Sequence, residues 1–578
     1  MPTQYDRRSF MTYFASVGLG STLLPGILWA KVADGTEINA ATIAAAEELA
    51  GLKFDDAERA MMLDGLKVNE GRIEALHKIP MPNSVSPALV FNPVPAGKKI
   101  PNEPRRAMIR SRVERASVPG ADALAFMTVT QLSELMRRRQ ITSTQLTDLY
   151  IERLKRYDPV LHCVITITEE RAREQARKAD AEIASGHYRG PLHGIPWGAK
   201  DLLAVKGYKT TWGAGPYKEQ VIDEDATVVQ RLDAAGAVLI AKLTLGELAQ
   251  GDIWYGARTR NPWKVETGSS GSSAGPASAT AAGLVGFSIG SETLGSISSP
   301  STVCGTTGLR PTYGRVPKTG AMALSWSMDK LGPICRSAED CALVLDAIHG
   351  PDGKDNMAIP ASFHWDATLS PKRLRIGYVK SAFDMPMMDP KDEKRTQHGS
   401  KVFDDRALEV LKEMGVNLIP VELPDMPYDP MRIILTAEAA AAFDELTRSN
   451  RDSELVQQTR NDWANTFRTA RFIPAVDYIN ANRLRTTAIG KWDDMMRNFD
   501  VIVTPTNAAN PSQLVATNLT GHPAVILPNG FRADGTPVSL TFLGGLFEEA
   551  KLLAVANAYQ QATGFHLVHP AVPLNPTK

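Results

Sequence analysis

Apolar residues recur at helical spacing near the N-terminus of the chain. Two segments, Ala41 to Leu49 and Asp55 to Ile79, show this period and are separated by Gly51, a residue typical of helix ends. The next stretch, Pro80 to Pro104, is rich in Pro and Asn and lacks any period, which favours an extended strap. We therefore predict a small helical extension with a Pro-rich strap over residues 31–120.

The main body begins near Ala121, and its first elements are predicted as helices. Thr142 and Gln145 have the spacing of a capping box, and one face of the following helix is apolar, with Leu146, Leu149, Tyr150 and Leu154. A charged helix is predicted from Glu169 to Ala184. Both helices have the character of elements that pack on a sheet.

Short runs rich in Val and Ile alternate with these helices and predict strands. They are Val164 to Ile167, Gly194 to Ala199, Ala237 to Ala241, Leu374 to Val379, Val501 to Thr504, Ala524 to Leu527 and Val538 to Phe542. This alternation indicates an α/β fold with one large central sheet over residues 121–578. Two segments, Pro351 to Pro371 and the helical Met431 to Arg497, are interpreted as peripheral material that shapes a pocket.

The first thirty residues have a different pattern. Arg7 and Arg8 precede an apolar stretch from Tyr13 to Ala30, as in a twin-arginine signal peptide. Gly18, Gly20 and Pro25 interrupt that stretch, which favours a cleaved signal over a retained membrane anchor. We therefore predict a bacterial protein that is exported in its folded form to the periplasm or secreted, with no stable membrane span after signal removal.

Composition excludes several classes of function. Lys plus Arg and Asp plus Glu both number 64, so the net charge is zero and nucleic acid is not an expected partner. Four scattered cysteines do not form a disulfide scaffold, and buried free thiols are expected. Neither Cys nor His shows metal-ligand spacing, so the sequence predicts no metal and no cofactor.

One stretch, Gly268 to Pro311, combines few charges with many Gly, Ser and Ala residues and short apolar runs. Small residues permit close backbone approach, and hydroxyls beside Gly-rich turns are candidate nucleophiles with open backbone N–H groups. Upstream, Lys200 ends an apolar run in HGIPWGAKDLL, where a charged ammonium is costly to bury. Taken singly, Lys200, Ser272 and Ser296 are most often a surface lysine and small turn residues.

Together, their order and spacing resemble the amidase signature family. Lys200-Asp201 ends the apolar run, Ser272-Ser273 follows 72 residues later, and Ser296-Ile297 lies 24 residues beyond that. Further matching blocks are GLRPTYGRVPKTG from Gly308, MDKLGPICRSAED from Met328, VTPTNA from Val503 and NLTGHPAVILPNGF from Asn518. The resemblance covers Ala121 to about Val572 and implies the amidase signature fold.

By this resemblance, Lys200 is the base, Ser272 a bridging serine on a cis peptide bond, and Ser296 the nucleophile. Backbone N–H groups of Thr293, Leu294, Gly295 and Ser296 are expected to form the oxyanion hole. The implied activity is hydrolysis of C–N bonds in small carboxamides, with esters or carbamates as further substrates. A burial-depressed lysine pKa is the physical requirement for such a base.

The sequence departs from the family around the nucleophile. The family pattern Asp-Thr-Gly-Gly-Ser-Ile-Arg is Glu292-Thr-Leu-Gly-Ser-Ile-Ser298 here, so three positions differ. A positive φ at Leu294 would carry strain of about 1 to 2 kcal/mol, and its side chain would narrow the acyl pocket. These substitutions put oxyanion geometry and acyl preference in question.

Other interpretations remain beside this one. The family includes the glutaminase A subunit of tRNA-dependent amidotransferases, although an export signal speaks against a cytoplasmic complex. Leu294 and Ser298 also motivate a binding protein of the same fold that has lost turnover. The G-x-S-x-G of residues 271–275 follows a polar segment rather than an apolar strand, so we interpret it as coincidental. His193 and His522 are expected to be hydrogen-bonded or pocket-lining residues.

Overall fold

The computed structural model describes residues 38–80, 82–113, 117–506 and 513–573, so the predicted signal peptide lies outside the described residues. The helices are α1 Ala40–Ala50, α2 Asp56–His77, α3 Ala121–Ala125, α4 Val129–Arg137, α5 Ser143–Leu161, α6 Glu169–Ala184, α7 Thr227–Ala234, α8 Ala274–Ala281, α9 Ser298–Cys304, α10 Ala338–Ile348, α11 Lys380–Asp384, α12 Lys401–Glu413, α13 Ile433–Ala442, α14 Asp444–Arg448, α15 Trp463–Ala470, α16 Ala475–Met496, α17 Gln513–Thr520 and α18 Glu549–Thr563. None of these helices is both long and apolar enough to cross a bilayer.

The strands are β1 Val164–Ile167, β2 Pro196–Lys200, β3 Val238–Leu243, β4 Ile253–Trp254, β5 Ala257–Arg258, β6 Arg260–Asn261, β7 Lys264–Gly268, β8 Phe287–Glu292, β9 Thr307–Arg310, β10 Lys330–Cys335, β11 Ile376–Val379, β12 Met388–Asp389, β13 Asp392–Thr396, β14 Leu418–Val421, β15 Val501–Pro505, β16 Ala524–Phe531 and β17 Pro537–Gly544. Eleven of them form one mixed sheet in the order β1-β3-β2-β8-β10-β9-β16-β17-β15-β11-β14. The predicted α/β fold with a large, helix-covered central sheet is confirmed.

The register of three parallel strands brings the candidate lysine to the sequence stretch rich in small residues. β2 runs parallel to both β3 and β8, and Ala199 lies opposite Ile289 on β8. Lys200 therefore ends β2 close to Ser291. Carboxyl ends of parallel strands are common positions for reactive groups, because the chain leaves the sheet there.

The structure contains the two helices that the sequence predicts at the start of the main body. The capping box of Thr142 and Gln145 is present at the start of α5, and Leu146 and Leu154 on its apolar face are buried. The charged helix α6 has the predicted bounds. These helices cover the sheet around β1, β2 and β3 and supply much of its core.

The N-terminal extension contains the two helices α1 and α2. Helix α1 ends at Gly51, which has a φ of 64°, and Arg59 of α2 forms an ion pair at 2.9 Å with Glu47 of α1. No residue of α2 is buried. The strap that follows, described for residues 78–80 and 82–104, contains no helix or strand and crosses the surface of the main body.

Four strands of the large sheet were not predicted: β8, β9, β10 and β14. Their sequences FSIGSE, TGLR, KLGPIC and LIPV contain Gly, Ser or Pro and do not alternate between apolar and polar positions. β8 and β10 are nevertheless fully buried, and their small residues let neighbouring segments approach closely. Tertiary packing, rather than local propensity, makes them strands.

Candidate active site

Lys200 lies at the end of β2 with no solvent exposure. Its Nζ is 2.9 Å from Ser272 Oγ, 3.0 Å from Ser273 Oγ and 2.9 Å from Ser291 Oγ. In the described part of the chain, no carboxylate forms an ion pair with this nitrogen. The amine is thus held among hydroxyl groups, and the alternative of a surface lysine is excluded.

Burial holds the pKa of the Lys200 amine well below its usual 10.5, and the charges of Asp329 and Glu292 oppose this shift only in part. The neighbouring Asp201 provides no compensation, because its carboxylate pairs with the buried Lys242 at 2.8 Å. A lysine in this setting favours its neutral form, which has a lone pair that can accept a proton.

The hydrogen bonds of Ser273 show where that lone pair points. Ser273 Oγ donates to the carbonyl oxygen of Ser291 at 3.0 Å, so towards Lys200 it acts as an acceptor. The neutral Lys200 amine therefore donates one hydrogen to Ser273 Oγ and can donate its second to Ser291 Oγ. Its lone pair then remains for the hydroxyl hydrogen of Ser272.

Ser272 and Ser296 come from two neighbouring loops. The Gly271–Ser272 peptide bond is cis, as the family resemblance implied. The backbone N–H of Ser273 donates to the carbonyl oxygen of Ser296 at 3.0 Å, which ties the two loops together beside Lys200. Ser296 is 9% exposed, and within the described residues its hydroxyl has no hydrogen-bond partner. The structure thus brings Lys200 and Ser272 into hydrogen-bond contact and ties the loop that carries Ser296 to the residue after Ser272.

Glu292 fixes the loop that carries Ser296. One carboxylate oxygen accepts the N–H groups of Ile297 and Ser298 at 2.9 and 2.8 Å and the Ser298 hydroxyl at 2.8 Å. The other accepts from Arg310 at 2.8 Å and Asn518 at 2.7 Å. Glu292 is fully buried, which by itself raises its pKa, but Arg310 and the other donors outweigh burial and lower the pKa to about 2. Glu292 and Ser298, two of the three residues that differ from the family pattern, therefore bond to each other and hold the loop together.

The four predicted oxyanion donors lie immediately before this anchored segment. Among the described residues, no protein acceptor bonds the backbone N–H groups of residues 293–296. The positive φ in this loop belongs to Gly295, at 96°, and not to Leu294. The suggested strain at Leu294 is therefore absent, because glycine occupies the position that needs this conformation.

Asp329 holds the first residue of this segment in place. The Thr293 hydroxyl donates to Asp329 Oδ1 at 2.6 Å, while Oδ2 accepts the N–H groups of Leu324 and Ser325. Burial raises the pKa of this carboxyl. Sequence analysis assigned no role to Asp329, although it lies within the block MDKLGPICRSAED.

A cavity of about 700 Å³ reaches the site at Ser291, Thr293 and Asp329. Its walls include residues from the two segments predicted to shape a pocket, such as Asp355 and Phe443. They also include residues 77–80 and 82–86 of the N-terminal extension, except Val85, a contribution that the sequence did not indicate. Lys200, Ser272 and Ser296 are not lining residues, so the cavity approaches the site through Ser291, which bonds Lys200, and through Thr293, the first of the predicted oxyanion donors.

The remaining candidate residues have structural environments. His193 is buried and its Nδ1 accepts the backbone N–H of Arg189, while His522 shares a hydrogen bond with Thr520. Neither histidine is hydrogen-bonded to Lys200 or the two serines. All four cysteines are buried free thiols, as expected. In the described ranges, no group of three His, Cys, Asp or Glu side chains is placed to hold a metal ion.

Comparison with known proteins gives a consistent assignment. The sequence pattern of the Amidase family matches residues 145–517. The chain is 33% identical to the A subunit of the Glutamyl-tRNA(Gln) amidotransferase of Heliobacterium modesticaldum, over 77% of this chain and 98% of that protein, and 34% identical to its counterpart in Moorella thermoacetica, over 77% and 99%. The peptide amidase of Stenotrophomonas maltophilia superposes with a TM-score of 0.66 and 29% identity, over 77% of this chain and 98% of that one. The chain therefore belongs to the amidase signature family.

Proposed function

We propose that this protein is an amidase that hydrolyses the C–N bond of small carboxamides through an acyl-enzyme on Ser296. The observation that carries this proposal is the fully buried Lys200 amine, 2.9 Å from Ser272 Oγ and without a carboxylate partner among the described residues. A neutral amine in that position is a base of the strength that a serine nucleophile needs. No cofactor or metal enters the scheme.

The first proton transfer follows from the hydrogen bond between Lys200 and Ser272, and the second requires the Ser296 hydroxyl to turn towards Ser272 Oγ. The lone pair of Lys200 takes the proton of Ser272, while Ser272 Oγ takes the proton of Ser296. Ser296 Oγ then attacks the amide carbon, and a tetrahedral adduct with a negative oxygen forms. As the C–N bond breaks, the proton returns through Ser272 to the leaving amine. Water attacks the resulting ester by the same route and releases the carboxylic acid.

The backbone N–H groups of Thr293, Leu294, Gly295 and Ser296 are the proposed donors to the negative oxygen. Their lack of protein acceptors among the described residues supports this role. Each donor in such a site contributes about 3 to 4 kcal/mol to stabilising the transition state. Glu292 and Asp329 act indirectly, because they hold the two ends of this segment and do not contact the substrate oxygen.

A second candidate is the glutaminase component of a tRNA-dependent amidotransferase. The identities of 33 and 34% to such proteins, over nearly their whole length, favour it. Against it stands the proposed twin-arginine signal, because a tRNA-dependent complex works in the cytoplasm. Glutaminase activity that depends on a co-purifying protein would favour this candidate over the amidase.

Turnover of an amide panel by Ser296→Ala tests the proposal. The panel includes propionamide, anilides, esters and free glutamine, and Ser278→Ala is the matched control, since Ser278 is a buried serine that bonds Arg260 O. We expect Ser296→Ala to abolish amide hydrolysis and Ser278→Ala to retain it. Hydrolysis that is unchanged in Ser296→Ala defeats the proposal. A wild-type protein inactive on the whole panel instead indicates a binding protein of this fold.

We also propose export to the periplasm or beyond. The supporting feature is the Arg7-Arg8 pair before the apolar stretch to Ala30. Cell fractionation of the full chain, with and without substitution of both arginines by lysine, tests it. Wild-type protein that stays in the cytoplasm would refute export.

A further inference from the structure

Residues 77–80, 82–84 and 86 form one wall of the cavity, which we call the outer wall. One of them, Asn83, bonds two separate backbone segments. Asn83 donates to the carbonyl oxygens of Ala323 at 2.8 Å and Ala442 at 3.3 Å, and it accepts the N–H of Ala323 at 2.8 Å. One side chain thus bonds two backbone segments that are 119 residues apart. Both segments line the cavity.

The end of α2, which leads into the strap, is tied to the same wall. The Arg448 guanidinium donates to the carbonyl oxygen of His77 at 3.3 Å. Arg448 is the last residue of α14, and Ala442 is the last residue of α13. The bonds from Arg448 to His77 and from Asn83 to Ala442 therefore attach this part of the chain to two consecutive helices. Asn83 adds a link to a second lining segment at Ala323. Asn83 therefore helps to fix the part of the strap that lines the cavity, residues 82–86 except Val85.

Aromatic rings cover another part of the cavity wall. Trp212 lies with its ring centroid 4.7 Å from that of Tyr217 and 6.1 Å from that of Phe443. Trp212 is 7% exposed and Phe443 2% exposed, while Tyr217 is half-buried. Burial raises the pKa of Tyr217 to about 12, so its ring stays neutral at physiological pH. Rings in this arrangement favour a further ring or a bulky apolar group.

Three charged groups of the wall, Asp329, Lys318 and Asp355, are already engaged by the protein, whereas the exposed Lys78, Glu224, Lys354 and Glu445 lie at its solvent side. Asp329 accepts the bonds described above, and Lys318 Nζ donates to Tyr313 Oη at 3.2 Å and Trp326 O at 3.1 Å. The carboxylate of Asp355 accepts the N–H groups of Lys318 and Met357. A zwitterion such as glutamine would have to compete with these bonds if its charged groups bound beside Asp329, Lys318 or Asp355.

The cavity is also large for a simple amide. Its 700 Å³ corresponds to roughly twenty water molecules at about 30 Å³ each. Propionamide, with five non-hydrogen atoms, leaves most of this space filled with water. A substrate with a ring would fill more of it and contact the aromatic wall.

We propose that the cavity selects carboxamides that carry an aromatic group, and that Asn83 is a specificity-determining residue that holds the outer wall against such a group. This inference rests on the proposed amidase activity and names its substrate class. Asn83 acts by positioning the strap and does not touch the reacting atoms. Its loss is expected to impair ring-bearing substrates more than small ones.

Hydrolysis of propionamide, 3-phenylpropionamide and N-benzylpropionamide by the full chain tests the inference. We expect kcat/KM for at least one ring-bearing amide to exceed that for propionamide at least tenfold. Asn83→Ala should reduce this ratio at least fivefold, mainly through KM. Asn102→Ala, an exposed asparagine of the same strap, is the matched control and should leave the ratio unchanged. Equal kcat/KM for all three amides, or a ratio unaffected by Asn83→Ala, overturns the inference.

Binding to Ser296→Ala separates this inference from the proposed function. In that variant, tryptophan fluorescence titration should show at least tenfold tighter binding of a ring-bearing amide than of propionamide. Such binding supports the substrate class even if no turnover is found, in which case the proposed activity alone fails. Equal binding of all three amides refutes the substrate class even if Ser296-dependent turnover is present.

Discussion

Glu292→Gln is the substitution that most directly separates the loop anchor from the reacting groups. It keeps the size of the side chain but removes its negative charge and one acceptor oxygen. In the native protein, five donors converge on the carboxylate: three on one oxygen and two on the other. The glutamine amide can present its carbonyl oxygen to only one of these groups.

The expected loss of stability follows from this arrangement. Whichever way the amide is placed, its NH₂ faces at least two buried donors, and each unsatisfied group costs about 1 to 3 kcal/mol. Arg310 also loses its buried counter-charge, and breaking such a pair typically costs about 3 to 5 kcal/mol. Because these two contributions overlap at Arg310, we expect the free energy of unfolding to fall by at least about 3 to 5 kcal/mol.

Activity should fall independently of stability. Glu292 holds the N–H groups of the two residues that follow Ser296, so its loss should displace the nucleophile. A displacement near 1 Å can reduce the rate roughly 100-fold, and we expect kcat to fall by about that factor under conditions where the variant is folded.

Urea unfolding and amide turnover should be measured side by side with Glu549→Gln. Glu549 is also fully buried and pairs with an arginine, Arg315, at 2.5 Å, but it forms no hydrogen bond with any of the three candidate catalytic residues. The control should lose comparable stability and retain kcat. If Glu292→Gln is destabilised but retains wild-type kcat, the anchoring role of Glu292 is wrong.

Two further predictions concern buried lysines. The kcat/KM for amides should rise with pH along a limb whose midpoint lies below 10.5, because burial lowers the pKa of Lys200 and only its neutral amine accepts a proton; a rate that falls over this range would contradict the assignment. Lys330→Met should stabilise the protein by about 1 to 4 kcal/mol in urea unfolding at pH 7, since Lys330 Nζ is buried without a hydrogen-bond partner in the described structure and its pKa is well below 10.5. Between the pKa values of Lys330 in the folded and unfolded states, the unfolded chain binds one more proton, so the stability of the wild-type protein rises with pH. The stability advantage of Lys330→Met should therefore shrink towards pH 10.5. A stability difference that stays constant with pH would refute this explanation.

The candidate site was predictable where local sequence carries the signal. Lys200, Ser272 and Ser296 each lie in a short block with recognisable order and spacing. Helix bounds were predictable for the same reason, because the capping box of α5 and the acidic first turn of α6 are encoded within a few residues. The apolar runs at β1 and β15 likewise begin where the strands begin.

Other features depend on contacts between distant residues, which a single sequence does not reveal. Glu292 looks like a departure from a family pattern until Arg310 and Asn518 are placed beside it, and Asn518 is 226 residues away. Asn83 lies in a Pro-rich segment, and its partner Ala323 is 240 residues further along the chain. Strands β8 and β10 were missed because their small residues have low strand propensity and become strands only through close packing.

The central claim is that Ser296 is the nucleophile and that the neutral amine of Lys200 activates it through Ser272. Labelling with a fluorophosphonate, followed by peptide mapping in a mass spectrometer, tests it most directly, because the reagent reacts with an activated serine hydroxyl. We expect one adduct on Ser296 in the wild-type protein, no such adduct in Ser296→Ala, and much slower labelling in Lys200→Met. An adduct on a different serine, or labelling of Ser296 at the wild-type rate in Lys200→Met, would contradict it.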